Sequence, residues 1–437
     1  MAHKENSTIS RRNLLRNTAV GAAAVAAPAI IPSSALGFGG FTAPSERLTL
    51  AMIGHGIMMR GHFGRMLNDR AVQILAVCDV DRQKREGAKA KAEAKYAENS
   101  PTGSYKGCEA YLEHEKIMAR DDIDACFVAT PDHWHVPISL DAIRSGKDVY
   151  VEKPMSLTIR EGRILSDAVR RYGAVLQVGS QQRSDRAFRK AAEMVRNGWI
   201  GKVHTVHARL GGSFPPPRAL PVEAVPEGFD YDRWLGSTPW FPYNLDRVEG
   251  NFRGGWRSFW EYGSRKNGDW GAHHYDIIQW ALGTDHSGPG FFFPVGYNGS
   301  EWQGFKYSNG PVVYKDHPAE TGQMIEFHGE NGMVGVSRGG KLVSTPRHLA
   351  NKPLGPSEIH LYGSAGHHRN FLDCIRTRKR PIADVEIGHR TSTICHLSTI
   401  SERLGRPLNW NPATEEIVGD AQASKWLDRP RRAPYTL

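Results

Sequence analysis

Short apolar runs punctuate the first part of the chain, each bounded by glycine, proline or charged residues. Leu48-Thr-Leu-Ala-Met-Ile53 stops at Gly54, and Val72-Gln-Ile-Leu-Ala-Val77 runs up to Asp79. Ile123-Asp-Ala-Cys-Phe-Val-Ala129, Asp148-Val-Tyr-Val151 and Val175-Leu-Gln-Val178 have the same form. Such runs read as buried strands. Between them lie stretches of helical period: one up to about Asp69, one over Ala88 to Ala97, one near Pro137 to Arg144, and one over Ile159 to Tyr172. Strands alternating with helices predict an α/β domain with a doubly wound parallel sheet of Rossmann type, over residues 47–170.

Beyond residue 170 the period changes. A helix over Asp185 to Asn197 precedes Val203-His-Thr-Val-His-Ala-Arg209, which alternates like a half-exposed strand. Residues 211–265 are rich in glycine, proline and aromatics with little period, and so long a loop in a compact domain is usually functional or an insertion. Strand-like runs return at Met324 to Phe327 and Met333 to Ser337, and the tail over residues 367–404 is mostly helical. This predicts a second, α+β domain over residues 171–437. No internal repeat stands out.

The first 46 residues fit neither pattern. Ser10-Arg-Arg-Asn-Leu-Leu-Arg16 resembles a twin-arginine export signal, followed by an apolar stretch from Ala19 to Ile31 and the small-residue pattern Ser33-Ser-Ala35. Residues 1–35 are therefore expected to be a signal peptide, and 36–46 a Gly-, Pro- and Ser-rich linker. The expected address is the periplasm or another exported location, with the twin-arginine machinery as a partner. The apolar stretch falls short of the roughly 20 residues a membrane helix needs, so the mature chain is expected to have no membrane span.

Composition narrows the class. A chain of 437 residues has room for two domains, and 40% hydrophobic with 23% charged residues reads as globular. Of the formal charge of +10, +3 lies before residue 36, and the remainder is interleaved with acids, so no nucleic-acid partner is expected. The five cysteines, Cys78, Cys108, Cys126, Cys374 and Cys395, lack metal-ligand spacing and predict no disulfide framework.

Candidate chemistry begins where the first strand ends, at Gly54-His-Gly56-Ile-Met-Met59. Gly54 allows the tight turn, and Gly56 lets backbone N–H groups approach a pyrophosphate at a helix N-terminus. The third glycine of that fingerprint is replaced by Met59, which implies a shifted helix or a role for Gly61. Asp79, at the end of the next strand, suits the two hydroxyls of an adenosine ribose and would repel a 2′-phosphate, favouring NAD over NADP. Thr130-Pro131-Asp-His-Trp-His135 and Glu152-Lys153-Pro154 each follow a strand, and ligands bind at the carboxyl ends of such strands. Far downstream, Asp269 and His273 stand four apart and share one face of a helix. The His273-His274 doublet leaves the register open between the two rings. With Asp276 it lacks a third metal ligand at suitable spacing, so no metal is expected. The aromatics of the long loop, Trp234, Trp240, Trp256, Trp260 and Tyr262, suit either a sugar cleft or core packing; Trp256 is taken as a substrate contact.

Glu152-Lys-Pro154 in this context, with Asp269, Gly271 and His273, strongly resembles the glucose–fructose oxidoreductase / inositol dehydrogenase / rhizopine catabolism (Gfo/Idh/MocA) family, in its exported twin-arginine subgroup. The resemblance runs from Leu48 to the C-terminus. It implies a Rossmann domain, a C-terminal α+β domain with a large, mostly antiparallel sheet, and a homo-oligomer. It also implies an NAD(P)-dependent oxidoreductase, NAD being favoured, acting on a sugar, glycoside or cyclitol hydroxyl. Export as a folded protein, away from free NAD, adds the expectation that the cofactor is tightly bound. Lys153 would meet the substrate hydroxyl and the nicotinamide side, His273 (or His274) would accept the proton with Asp269 beside it, and Arg183 of Gln181-Gln-Arg183 would touch substrate. Thr130, Pro131, His135 and Glu152 would border the cofactor. A redox-neutral NAD-dependent glycosidase on the same scaffold is the alternative, although the relatives that do this lack Glu-Lys-Pro. A dinucleotide-binding sensor without turnover is a third reading, opposed by the presence of Lys153, Asp269 and His273.

Overall fold

In the computed structural model the described residues are 43–98, 100, 102–212, 219–249, 254–308 and 310–437. The signal peptide expected over 1–35 and nearly all of the linker over 36–46 lie outside them.

The buried apolar runs become a parallel sheet of β1 (Leu48–Ile53), β2 (Val72–Cys78), β3 (Glu109–Tyr111), β4 (Ala125–Val128), β5 (Asp148–Val151) and β6 (Leu176–Val178), in the order β3-β2-β1-β4-β5-β6. Both faces need cover, because β4 and β5 are buried along their whole length. The helices α1 (Ile57–Leu67) and α2 (Arg82–Ala97) lie on one side, and α3 (His135–Arg144) and α4 (Ile159–Tyr172) on the other. Sequence sets the bounds of α4. Thr158 caps it by accepting the Glu161 N–H at 3.1 Å, and Gly173 ends it in the left-handed conformation at φ 64°.

The domain boundary differs from the expectation. β6 lies beyond residue 170 and still belongs to the first sheet. Moreover α7 (His367–Thr377), far along the chain, fills the first domain's core with Phe371, Leu372, Cys374 and Ile375. Gln177 of β6 fixes it there by donating to the His367 carbonyl at 2.7 Å. A helix from late in the chain thus completes the first domain's core, which no period could show.

The second sheet has nine strands in the order β13-β12-β11-β7-β10-β9-β8-β14-β15. They are β7 (Val203–Ala208), β8 (Phe291–Phe293), β9 (Gly304–Lys306), β10 (Val312–Lys315), β11 (Ile325–Gly329), β12 (Gly332–Ser337), β13 (Lys341–Thr345), β14 (Leu408–Asn411) and β15 (Glu416–Ile417). β7 and β10 pair in parallel; the other neighbouring strands pair antiparallel. One face packs on α5 (Arg186–Arg196), α6 (Ala272–Leu282) and α8 (Val385–Leu404), with Val206, Phe327, Ile277 and Ile394 among the buried contacts. All five cysteines are free and buried, as their apolar settings imply. Among the described residues no helix is long and apolar enough to cross a membrane.

Candidate active site

The strand order reverses between β1 and β4, so the loops that follow these two strands diverge and leave a crevice. A cleft occupies that position, lined by Gly54, Gly56, Asp79, Thr130, Pro131, His135, Glu152 and Lys153. Gly54 sits at φ 87°, and a Cβ there would meet the Thr130 methyl at 2.8 Å, so the turn admits only glycine. Nothing lies within 4 Å of a Cβ placed on Gly56, where α1 begins with its N–H groups facing outward. Met59 occupies the third-glycine position by turning fully into the core. Gly61 is exposed and takes no part in that packing.

This arrangement fits a dinucleotide. Asp79 is oriented by the His55 N–H at 2.6 Å and the Asp81 N–H at 2.9 Å. It stands where the adenosine ribose of such a ligand falls, at the end of the second strand. The Thr130 hydroxyl is buried beside the turn without a hydrogen-bond partner. Glu152 is 3% exposed, and its Oε1 accepts from His62 Nε2 at 2.9 Å and from Gln181 Nε2 at 2.8 Å. Burial pushes its pKa up, but the His62 hydrogen bond and the Lys153 charge outweigh this and hold it at about 2. His135 faces the Pro154 and Thr130 carbonyls at 2.7 and 2.9 Å, bracing the two loops against each other.

At the other end of the cleft Lys153 Nζ donates to Asp269 Oδ1 at 2.7 Å and to the Asp269 carbonyl at 3.1 Å. Residues 116 apart in sequence thus meet, because Asp269 lies in a π-helical turn, Asn267–Gly271, that leads into α6. Such turns are rare and frequent at functional sites. Burial would raise the Asp269 pKa, but Lys153 and Arg257 reverse the effect and keep it ionised. His273, one turn on, is 6% exposed, with its Nδ1 unpartnered and its ring against Trp270 at 6.0 Å. Burial, reinforced by the Lys153 and Arg338 charges, holds its pKa well below the ordinary imidazole value, so the ring is neutral.

Two family models match the chain: "Oxidoreductase family, NAD-binding Rossmann fold" over residues 48–180, and "Oxidoreductase family, C-terminal alpha/beta domain" over 213–292 and 359–437. The chain belongs to the Gfo/Idh/MocA oxidoreductase family. Its Rossmann domain is the family's NAD-binding domain. Inositol 2-dehydrogenase 2 of Saccharopolyspora erythraea is 30% identical over 198 residues, covering 43% of this chain and 53% of that protein. The alpha-N-acetylgalactosaminidase of Shewanella oneidensis is 30% identical over 178 residues, covering 39% of this chain and 37% of that protein. The chain therefore matches about half the length, or less, of these curated relatives. Among solved structures, the WlbA dehydrogenase of Bordetella pertussis, in complex with NADH and UDP-GlcNAcA, superposes with a TM-score of 0.57 at 17% identity. That superposition covers 84% of this chain and 98% of the other, and shows a shared fold.

Three expected substrate contacts fare differently in this Gfo/Idh/MocA member. Trp256 lines the cleft, with the Arg257 guanidinium 4.3 Å over its ring. Arg183 does not reach the cleft. It is 1% exposed, and its donors are taken by Asp276 at 2.7 Å and Asp285 at 2.7 Å, so it braces α6. His274 is fully buried against Trp270, with both ring nitrogens unpartnered, and neither it nor His273 is among the residues that line the cleft; His273 stands one turn behind Asp269, which does. Of the other loop aromatics, Trp234 lines the cleft, Tyr262 is core, Trp260 meets Trp426 edge to face, and Trp240 is 62% exposed.

Two lining residues escaped the sequence reading. Asp132, inside the quoted Thr130–His135 motif, accepts the Ser264 N–H at 3.3 Å. Burial, opposed by Arg257 and Lys153, lifts its carboxyl to about 7. Arg257 approaches Asp269 at 3.7 Å. A neighbouring Trp-Arg pair in a long loop carries no signal by itself; only the fold brings it to Lys153.

Proposed function

We propose that this protein is an NAD-dependent oxidoreductase that interconverts a secondary hydroxyl and a carbonyl on a sugar, glycoside or cyclitol. The observation that carries the reading is the Lys153–Asp269 pair, facing into the same cleft as Gly54, Gly56 and Asp79. NAD, when bound, supplies the hydride acceptor. The chain's own groups must then deal with the hydroxyl proton and the developing charge on oxygen. Lys153 Nζ places a cation beside that oxygen, and Asp269 holds the ammonium in position. The neutral ring of His273 is the proton acceptor, and burial of the cleft keeps bulk water from competing. Trp256 and Trp234 offer flat apolar walls to the carbon face of a ring substrate. A homo-oligomer is also proposed, on the resemblance alone.

The segment Glu227 to Leu235 supports firm retention of the cofactor. Its backbone bridges to Asp81 at Phe229, Gly228 accepts the Arg82 N–H at 2.9 Å, and Asp230 N–H donates to the Val80 carbonyl at 3.1 Å. His133 Nε2 donates to the Trp234 carbonyl at 2.7 Å from the facing loop. Phe229, Arg233 and Trp234 thereby line the cofactor cleft. Retention matters if the chain is exported, as Ser10 to Ala35 suggests, because twin-arginine export carries folded proteins.

A second reading, redox-neutral NAD-dependent glycoside cleavage, is favoured by the galactosaminidase relative and by Asp132. A carboxyl that titrates near 7 still holds a proton at neutral pH and can give it to a leaving oxygen. Incubation with cyclitols, free sugars and aryl glycosides separates the readings. NADH or a carbonyl product supports oxidoreduction, glycone release without net NADH supports the second, and neither product with bound NAD leaves only a sensor.

A further inference from the structure

On the nine-stranded sheet, β7 and β11 run antiparallel with Glu326 directly opposite His207. Val206 and Phe327 point into the core from these strands, so His207, Glu326 and His328 stand on the face turned away from the helices. None of the three lines the dinucleotide cleft.

Their ligand atoms converge. Glu326 Oε2 is 3.9 Å from His207 Nδ1 and 3.6 Å from His328 Nε2, and the three atoms lie within 4.8 Å of one another. Both nitrogens are buried with no hydrogen-bond partner. His207 is 7% exposed and Glu326 0%, so this is a carboxylate removed from water with imidazoles as its only ion-pair partners among the described residues. A buried carboxylate needs a countercharge, and two unpaired imidazole nitrogens aimed at it do not supply one when neutral.

We propose that His207, His328 and Glu326 form a second site that binds one divalent transition-metal ion of the zinc class. Two imidazoles and one carboxylate are a recognised donor set for such an ion, with a fourth position left for water. Metal–ligand distances of about 2.0–2.2 Å place tetrahedral ligand atoms roughly 3.3–3.6 Å apart. The two carboxylate–imidazole spacings are within a few tenths of an ångström of that, and the two nitrogens, within 4.8 Å of each other, would draw together on the ion. The outer contacts are of the supporting kind. Glu326 Oε1 accepts the Thr321 N–H at 2.7 Å and also the Thr321 hydroxyl, and its Oε2 accepts the Glu320 N–H at 2.9 Å. Glu320 Oε1 stands 3.8 Å from His328 Nδ1, placed to receive its N–H once the other nitrogen is ligated. His317, stacked on His207 at 3.9 Å, covers the site on one side. The ion would pin the turn carrying Glu320 and Thr321 to β7 and β11.

The test uses the full chain, stripped with a chelator and dialysed against Zn²⁺ or Co²⁺. We expect one equivalent of Zn²⁺ per chain, and visible Co²⁺ bands without the sulfur charge-transfer band that a cysteine site would show. His328→Ala, part-exposed and so compatible with folding, and Glu326→Gln should each weaken binding by about 100-fold or more, and His204→Ala, an exposed neighbour on β7, should not. Zn²⁺ should raise the melting temperature of the parent and not of His328→Ala. Less than one tenth of an equivalent, a thiolate signature, or undiminished affinity in a folded His328→Ala would each overturn the proposal. The readout is metal content, so it stands or falls apart from the oxidoreductase reading.

Discussion

At the scale of single residues, the proposed chemistry rests on two cations facing two acids. Lys153 and Arg257 face Asp269 and Asp132, and only Asp132 titrates near neutrality. Lys153→Ala should keep NAD, which Gly54, Gly56 and Asp79 hold, and lose about 10²–10⁴ in turnover. Activity within threefold of the parent would remove Lys153 from the mechanism. The pH profile follows from the directions of the shifts. An unperturbed histidine base would impose an acid limb near 6.5, but His273 is held well below that value and stays neutral. No acid limb should therefore appear there. Asp132, raised to about 7, becomes anionic above that pH and offsets part of the Lys153 field, so kcat should fall on the alkaline side of about 7. Asp132→Asn should abolish that fall, whereas His273→Asn should lower the rate at every pH. An acid limb near 6.5 that vanishes only in His273→Asn would reverse the assignment.

Among elements, what was legible depended on whether a signal was local. The strand runs and the span of α4 were readable because burial and helical period leave marks within a few residues. Gly54, Gly56, Asp79 and Lys153 were readable because each follows a strand, where the sheet topology puts ligands. Asp132 was hidden, since its meaning comes from Lys153 and Arg257 across the fold. Arg183 misled because a sequence cannot show that Asp276 and Asp285 take up its charge. His207 and Glu326 sit on strands whose pairing is not written in either segment. The same non-local logic governs the network joining α4, α8 and the β14–β15 turn. Arg163 binds Glu386 at 2.9 Å and Glu415 at 2.6 Å, and His389 meets Glu415 at 2.9 Å. Burial opposes ionisation of both acids, but Arg163 and its partners prevail and hold each at about 2. Arg163→Met should cost about 1–3 kcal/mol near pH 7, less than a fully buried pair because Arg163 is partly exposed. Depressed carboxyl pKa values stabilise the fold above the unfolded value of about 4.3, and that share is lost as pH falls through about 2. The gap between variant and parent in urea unfolding should thus narrow as pH falls from 5 toward 2, and a constant gap would mean that packing, not charge, carries Arg163.

For the whole molecule, the proposed address and the proposed chemistry constrain each other. A dehydrogenase that exchanges NAD freely needs a pool of free cofactor, and an exported enzyme has little outside the cytoplasm. The reading that reconciles them is a cofactor acquired before export and held through turnover. The Glu227–Leu235 segment is suited to that, because its backbone bridge at Phe229 and the hydrogen bond from His133 hold it against the cofactor cleft that it lines. Gel-filtered protein should carry close to one dinucleotide per chain and turn over with none added. Regeneration then happens in place, either by a second carbonyl substrate in ping-pong fashion or by re-reduction of the first substrate before it leaves. Phe229→Ala, which removes a ring from the cleft wall while leaving Lys153 untouched, should speed NAD loss by about tenfold, equivalent to roughly 1.4 kcal/mol. It should leave the rate at saturating NAD near that of the parent. Protein that emerges empty and works only when NAD is supplied like a substrate would restore an ordinary exchanging dehydrogenase. Retained NAD with an unchanged loss rate in Phe229→Ala would keep the tight cofactor and assign its retention to the glycine turn and Asp79 alone.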